Sequence, residues 1–222
     1  MMVIMIKHDD GHNKVNPLFG CCPARGQGGQ NMARSSRAEV AEKRQAVLEV
    51  ASRLFRERGV EAVSVAEVMA AAGLTHGGFY SHFDSKEALA AEACSEAFGR
   101  NRTRWSSLAE RPAGEGLDAL LGHYLSPAHR DSPGSGCAAP SFAAEAARDV
   151  PGGAVRRAYA DGIRGLAETL EGLLPASVKR RRRERALMAM AAMIGAVSIA
   201  RAIGDDPLSD EILAAVRGEL SA

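Results

Sequence analysis

Within residues 75–86, THGGFYSHFDSK, the hydrogen-bond donors Thr75, His76, Tyr80, Ser81, His82 and Lys86 crowd around a pair of glycines. Donors of this kind, beside a backbone that carries no Cβ, suit a partner that is large and rich in anionic oxygens, such as a phosphate chain. Gly77 and Gly78 cost a helix roughly 1 kcal/mol each relative to Ala, which is consistent with close approach by that partner. Lys86 falls in the first turn of the next expected helix, where the macrodipole disfavours a cation unless an anion binds the same helix end.

The elements that position these residues can be read from local signals. Ser64 is a natural N-cap and Glu67 completes a Ser-x-x-Glu capping box, so a helix starts at Val65. Val65, Val68, Met69 and Ala72 recur at helical spacing, and Gly73 supplies a left-handed stop, with Leu74 packed under the turn. Thr75 is read as the next N-cap, so a second short helix covers 76–82. Its Phe79 and Phe83 face inward, which leaves His76, Gly77, Tyr80 and Ser81 outside. Two short helices around a Gly-containing turn, residues 64–83, form a helix-turn-helix whose second helix can enter the DNA major groove. A preceding helix over 39–58 carries Val47, Leu48, Ala51, Leu54 and Phe55 on one stripe and ends at Gly59. Arg34, Arg37 and Arg44 near its start are either free to meet phosphates or solvated in the ordinary way. A further helix starts near Ser85, with Asp84 and Glu87 as a second capping box, and runs past Trp105.

These residues resemble the TetR-type transcriptional regulators, whose N-terminal domain carries a pattern close to AAGLTHGGFYSHFDSKEAL, with Phe79-Tyr80, His82-Phe83 and Ser85-Lys86-Glu87. The resemblance runs over about residues 32–89. It implies that Thr75, His76, Gly77, Tyr80, Ser81, His82 and Lys86 approach DNA while Phe79 and Phe83 hold the motif together. Position 76 is His here, where the family often carries Lys or Arg. Arg44 and Ser64 complete the candidate DNA-binding set.

Composition leaves room for this reading and narrows the others. The chain has 222 residues, 46% hydrophobic and 25% charged, and a formal net charge of +1, the balance of a soluble globular protein. Bulk charge therefore does not announce a nucleic-acid partner, and any affinity rests on local placement. No apolar run appears long enough to cross a bilayer, and no membrane partner is expected. Cys21, Cys22, Cys94 and Cys137 show neither a disulfide-scaffold density nor a metal spacing, which suits a reducing cytoplasm. Residues 1–31 are expected to be a disordered extension, with translation starting at Met32; His8, Asp9, Asp10 and His12 within them are read as solvated and not as a metal site.

Beyond residue 90 the chain reads as Ala-rich helices over 116–125, 141–148, 155–174, 179–203 and 209–220, divided by Pro127, Pro133, Pro140, Pro151, Pro175 and Pro207. The expected fold is all-α: a three-helix DNA-binding domain at 32–100, then a larger helical ligand-binding and dimerisation domain at 101–222. Candidate ligand-binding residues are Phe98, Trp105, His123, Tyr124, Cys137, Phe142 and Tyr159, because an apolar cavity with a few polar groups is the usual small-molecule site. Plain core is the competing reading. Cys137 enters a helix, whose N-terminus could lower its thiol pKa and make it a redox sensor. The basic run over 179–185 is read as a solvated helix start. Leu187, Met190, Met193, Ile194, Val197 and Ile203, with Ala191, Ala192, Gly195 and Ala196, make a broad apolar face, and the resemblance favours a subunit seam there.

The function expected is a homodimeric, ligand-responsive repressor that binds a palindromic double-stranded operator and is released by a small molecule, with no metal or cofactor. The alternatives are an activator or a redox-responsive regulator of the same fold, or an enzyme using Cys137 with His123 or His129.

Overall fold

Helix α1, Gly29–Arg58, forms around the stripe recognised in the sequence: Val47, Leu48, Ala51, Leu54 and Phe55 are all buried. Gly59 ends it with φ +83°, a value that only glycine adopts without strain. The helix begins at Gly29, earlier than the expected 39. In this computed structural model, residues 29–112, 114–175 and 181–221 are described, with side chains from residue 36. Residues 1–28, with Cys21, Cys22 and the His8–His12 cluster, lie outside the described residues, as does the side chain of Arg34.

Among the described residues the chain is entirely helical, without strands. After α1 come α2 (Val65–Ala71), a 3-10 helix (His76–Ser81), α3 (Lys86–Leu108), α4 (Glu115–Tyr124), α5 (Pro127–Arg130), α6 (Ala138–Arg148), α7 (Ala154–Leu173), α8 (Arg182–Ile203) and α9 (Pro207–Ser221). The backbone of the fold is the long pairing of α3 with α7. α3 buries Leu89, Ala90, Ala93, Cys94, Ala97, Phe98, Asn101 and Trp105 at helical spacing. Against it, α7 presents Gly162, where a Cβ would sit 2.2 Å from the Phe98 ring. Any larger residue at 162 would force the two helices apart.

Three prolines read as breaks instead sit inside helix starts. Pro127 follows the Ser126 cap as the first residue of α5, a helix the sequence reading missed. Pro140 lies in the first turn of α6 and Pro207 opens α9, positions whose N–H groups have no helical partner to lose.

The basic run before α8 has a structural task where it is described. Arg182 donates to the carbonyls of Glu171, Leu174 and Pro175, closing the C-terminal end of α7. Arg183 pairs with Glu171 and Arg181 with Glu184. Contrary to the expectation from sequence, α8 is long and apolar enough by composition to cross a membrane. It packs instead against α6, α7 and α9, with Ala186, Ala189, Met190, Met193, Ala196, Val197 and Ala200 in the core.

That packing also rephases the apolar face. Met190, Met193 and Val197, placed on the seam from sequence, are internal, and Ile194 is half-buried against the core. The residues that α8 turns outward are Leu187, Met188, Ile199 and Ile203, with Met188 65% exposed and Ile199 50% exposed. A helix that is apolar all round does not reveal from sequence which side is inside.

Candidate nucleic-acid interface

Ser64 has an extended backbone and its hydroxyl accepts the Glu67 N–H at 3.1 Å, which fixes the start of α2. The reciprocal half of the expected capping box is absent, because the Glu67 carboxylate pairs with Arg58 at the end of α1. At the other end Gly73 N–H donates to Ala70 O at 3.0 Å and Leu74 N–H to Met69 O at 2.9 Å. With Gly73 at φ +72°, this is a Schellman stop.

The second helix of the motif is a 3-10 helix, not the α-helix expected. Gly78 N–H bonds to Thr75 O and His82 N–H to Phe79 O. Two adjacent glycines in a six-residue element favour neither the nucleation nor the propagation of an α-helix. Thr75 occupies the N-cap position without a side-chain cap bond, so its hydroxyl is left for other use.

Phe79 and Phe83 are buried and stacked with ring centres 5.8 Å apart, and Tyr80 meets the Phe79 ring edge-on at 5.2 Å. Behind them, the Arg44 guanidinium lies 4.5 Å over the Phe83 ring, donates to His82 O at 3.3 Å and pairs with Glu92. Arg44 therefore clamps α1, the motif and α3 together, with its side chain still 39% exposed. The outer face carries Thr75, His76, Gly77, Tyr80 and Ser81, with Tyr80 71% exposed. The Ser81 hydroxyl donates to Gly78 O at 2.6 Å. Neither Gly77 nor Gly78 has a positive φ, and a Cβ at Gly77 would meet nothing within 4 Å.

His82 and Lys86 are half-buried at the rim. His82 Nδ1 is buried without a hydrogen-bond partner, and Lys86 Nζ reaches toward Glu61 O at 3.5 Å. The start of α3 is capped by Ser85, whose hydroxyl accepts the Ala88 N–H at 3.1 Å, rather than by Asp84 as expected. The backbone N–H at the helix start and the Ser85 hydroxyl hold the Glu87 carboxyl below its ordinary pKa.

Two long-range polar contacts tie this unit to the later helices. Arg56 Nη1 donates to Gly136 O at 2.8 Å, and Glu145 accepts the Val60 N–H at 3.2 Å. Neither was found from sequence: the partners are separated by 80 and 85 residues, and no motif announces them.

The candidate ligand-binding residues pack mostly against one another. Phe98 meets Tyr159 edge-on at 5.5 Å and Trp105 meets Tyr124 at 5.8 Å, while Phe142 is fully buried. Tyr159 OH donates to Ala139 O at 3.2 Å. His123 is exposed. Phe98 also borders a small hollow of about 160 Å³ with Arg102 and Gly162.

The Cys137 thiol is buried, and burial pushes its pKa up, outweighing the helix N-terminus at which it sits. Beside it is the Tyr124 hydroxyl, buried without a full hydrogen bond, its pKa likewise raised by burial. His129, also buried, uses both ring nitrogens on the backbone: Nδ1 donates to Tyr124 O at 2.7 Å, and Nε2 accepts the Cys137 N–H at 2.9 Å. Its pKa is lowered to about 4, chiefly by burial. A neutral His129 engaged in this way is not placed to take the Cys137 proton.

A capped helix, a Schellman turn and a short second helix with an exposed polar face over a buried aromatic pair define a DNA-binding helix-turn-helix protein. Residues 47–93 match the family model described as bacterial regulatory proteins, tetR family. Over 61 residues the chain is 46% identical to the transcriptional regulator AcrR of Shigella flexneri, covering 28% of each protein. It is 44% identical over 50 residues to the transcriptional repressor KstR2 of Rhodococcus jostii, covering 22% of this chain and 24% of that one. These matches thus span about a quarter of the curated relatives. The whole fold is similar to a TetR transcriptional regulator from Chloroflexus aurantiacus, with TM-score 0.67 and 26% identity over 83% of this chain and 94% of the other. Residues 47–93 thus carry the DNA-binding module of the tetR family of bacterial regulatory proteins, and the whole fold is similar to that of a TetR transcriptional regulator.

Proposed function

We propose that the chain is a cytoplasmic, homodimeric repressor without metal, cofactor or catalytic activity, which binds a two-fold symmetric DNA operator and is released by a small molecule. The observation that carries this is the exposed Thr75, His76, Gly77, Tyr80 and Ser81 face laid over the buried Phe79 and Phe83. Among the described residues nothing requires glycine at 77, since its φ is ordinary and the space beside it is open. A phosphate backbone approaching from outside supplies the reason. Ser64 lies at the start of the supporting helix, and the rim residues His82 and Lys86 add donors once their side chains swing outward. Arg44 supports the face from behind.

One short recognition element reads few base pairs, so specificity calls for two copies about 34–36 Å apart on one face of the duplex. The outward apolar residues of α8 supply a seam for the second copy, because an exposed patch of this kind on a monomer is an aggregation hazard. Repression is favoured by relatives named as repressors, KstR2 among them. Neither the redox nor the enzymatic alternative gains from a thiol that burial keeps protonated.

The test is selection of bound duplexes from a random DNA pool by the full chain. Enrichment of an inverted repeat whose half-site centres lie one helical turn, or a multiple of it, apart is the expected result. An enriched sequence with no symmetry would contradict the dimeric reading, and no enrichment would contradict the operator itself.

A further inference from the structure

Between α1 and α3, beside the loop that follows α5, is a cavity of about 430 Å³ whose wall holds Arg53, Arg56, Arg100 and Arg104, with Asn101 and Glu49. The volume is that of a small-molecule site. Its charge is unbalanced. Arg100 pairs with Glu49 and Glu96, and Arg53 with Glu57. Among the described residues, no carboxylate pairs with Arg56 or Arg104. Arg56 is only 9% exposed and donates to two neutral carbonyls, Ser52 O and Gly136 O. Arg104 is exposed at the rim.

A buried guanidinium is costly unless an anion compensates it, and guanidinium forks match the paired oxygens of carboxylate and phosphate. Burial, and after it the neighbouring Arg100, lowers the Arg56 pKa to about 10 even though Glu57 opposes the shift.

We propose that this arginine-lined cavity binds a small polyanion bearing two or more carboxylate or phosphoryl groups. Its occupant neutralises Arg56 and Arg104 and draws Arg56 away from Gly136 O, loosening one of the polar ties between α1 and the later helices. That regulatory consequence rests on the repressor reading above; binding itself does not. The wall of this cavity includes none of Phe98, Trp105, Tyr124 and Phe142.

Calorimetric titration of the full chain with citrate and, separately, with pyrophosphate tests the site without DNA, at constant ionic strength set with sodium chloride. Saturable binding of at least one probe is expected, with citrate alone assigning carboxylates and pyrophosphate alone assigning phosphoryl groups. At about ten times its dissociation constant the bound probe should raise the thermal midpoint by about 3–6 °C. Arg104→Ala, on an exposed side chain, should weaken the binding about tenfold or more while leaving helicity unchanged. Binding of neither probe, or equal binding by the Arg104→Ala variant, would overturn the proposal. A failure of operator selection would instead contradict the repressor reading and leave this titration interpretable.

Discussion

The two parts of the molecule use aromatic side chains in opposite ways. In the helix-turn-helix, Phe79 and Phe83 are buried but Tyr80 is left 71% exposed; among the later helices Phe98, Trp105, Tyr124 and Phe142 are all buried, with Phe98 against Tyr159 and Trp105 against Tyr124. An exposed aromatic beside two glycines makes little sense for the stability of the chain alone and good sense for a surface that awaits a partner. A filled aromatic interior is framework. The contrast teaches that recognition in the later helices is to be sought in polar clefts, and that hydrophobic residue type alone does not locate a ligand.

The largest effect that can break the comparison is on stability. Phe79→Ala is expected to cost about 3–5 kcal/mol and to unfold the motif, measured by urea denaturation, and Phe142→Ala to cost a similar amount in the later helices. Tyr80→Ala should cost almost nothing by the same measurement.

Next in size is a pH effect confined to the later helices. His129 has its pKa lowered by burial to about 4, so its neutral form belongs to the folded state. A depressed histidine contributes stability that is fully present above its unfolded pKa near 6.5 and is lost as pH falls toward 4. The loss over that window is about 3 kcal/mol, and His129→Gln should flatten the corresponding part of the stability profile. A profile unchanged by that substitution would mean that His129 is not the group that titrates.

The seam comes third. Met188→Glu should convert a dimer into a monomer in sedimentation without unfolding it, since Met188 is 65% exposed in the single chain. An intact dimer would place the subunit contact elsewhere.

The smallest effect is the sharpest in sign. Gly77→Ala should stabilise the chain by about 0.4–1 kcal/mol, because the added Cβ meets nothing and the unfolded state loses freedom. The same change should weaken DNA binding. Stabilisation without a loss of affinity would remove close phosphate approach as the reason for this glycine.

The helix-turn-helix was largely legible because its determinants are local: Ser64 and Gly73 bound one helix, and Phe79 and Phe83 lie four residues apart on one side of the next. What was missed there depends on competition between partners. Glu67 serves Arg58 rather than the cap, Arg44 is held by Glu92, and the glycine pair favours a 3-10 geometry. In the later helices the all-α class was readable from Ala-rich periodicity, but α5 was hidden because Pro127 signals both a break and a first turn. The outward side of α8 was hidden because Met188 and Met190 look alike in a helix that is apolar all round. The arginine cavity and the Arg56–Gly136 contact arise only when distant segments meet, so neither composition nor spacing announces them.

The central claim is that the exposed face of the 3-10 helix reads DNA, and Tyr80 tests it most directly. The measurement is fluorescence anisotropy of the selected operator duplex with the full chain and its Tyr80→Ala variant, alongside the thermal midpoint of each. The account predicts that affinity falls at least tenfold, about 1.4 kcal/mol, while the midpoint stays where it was. Unchanged affinity at an unchanged midpoint would contradict it.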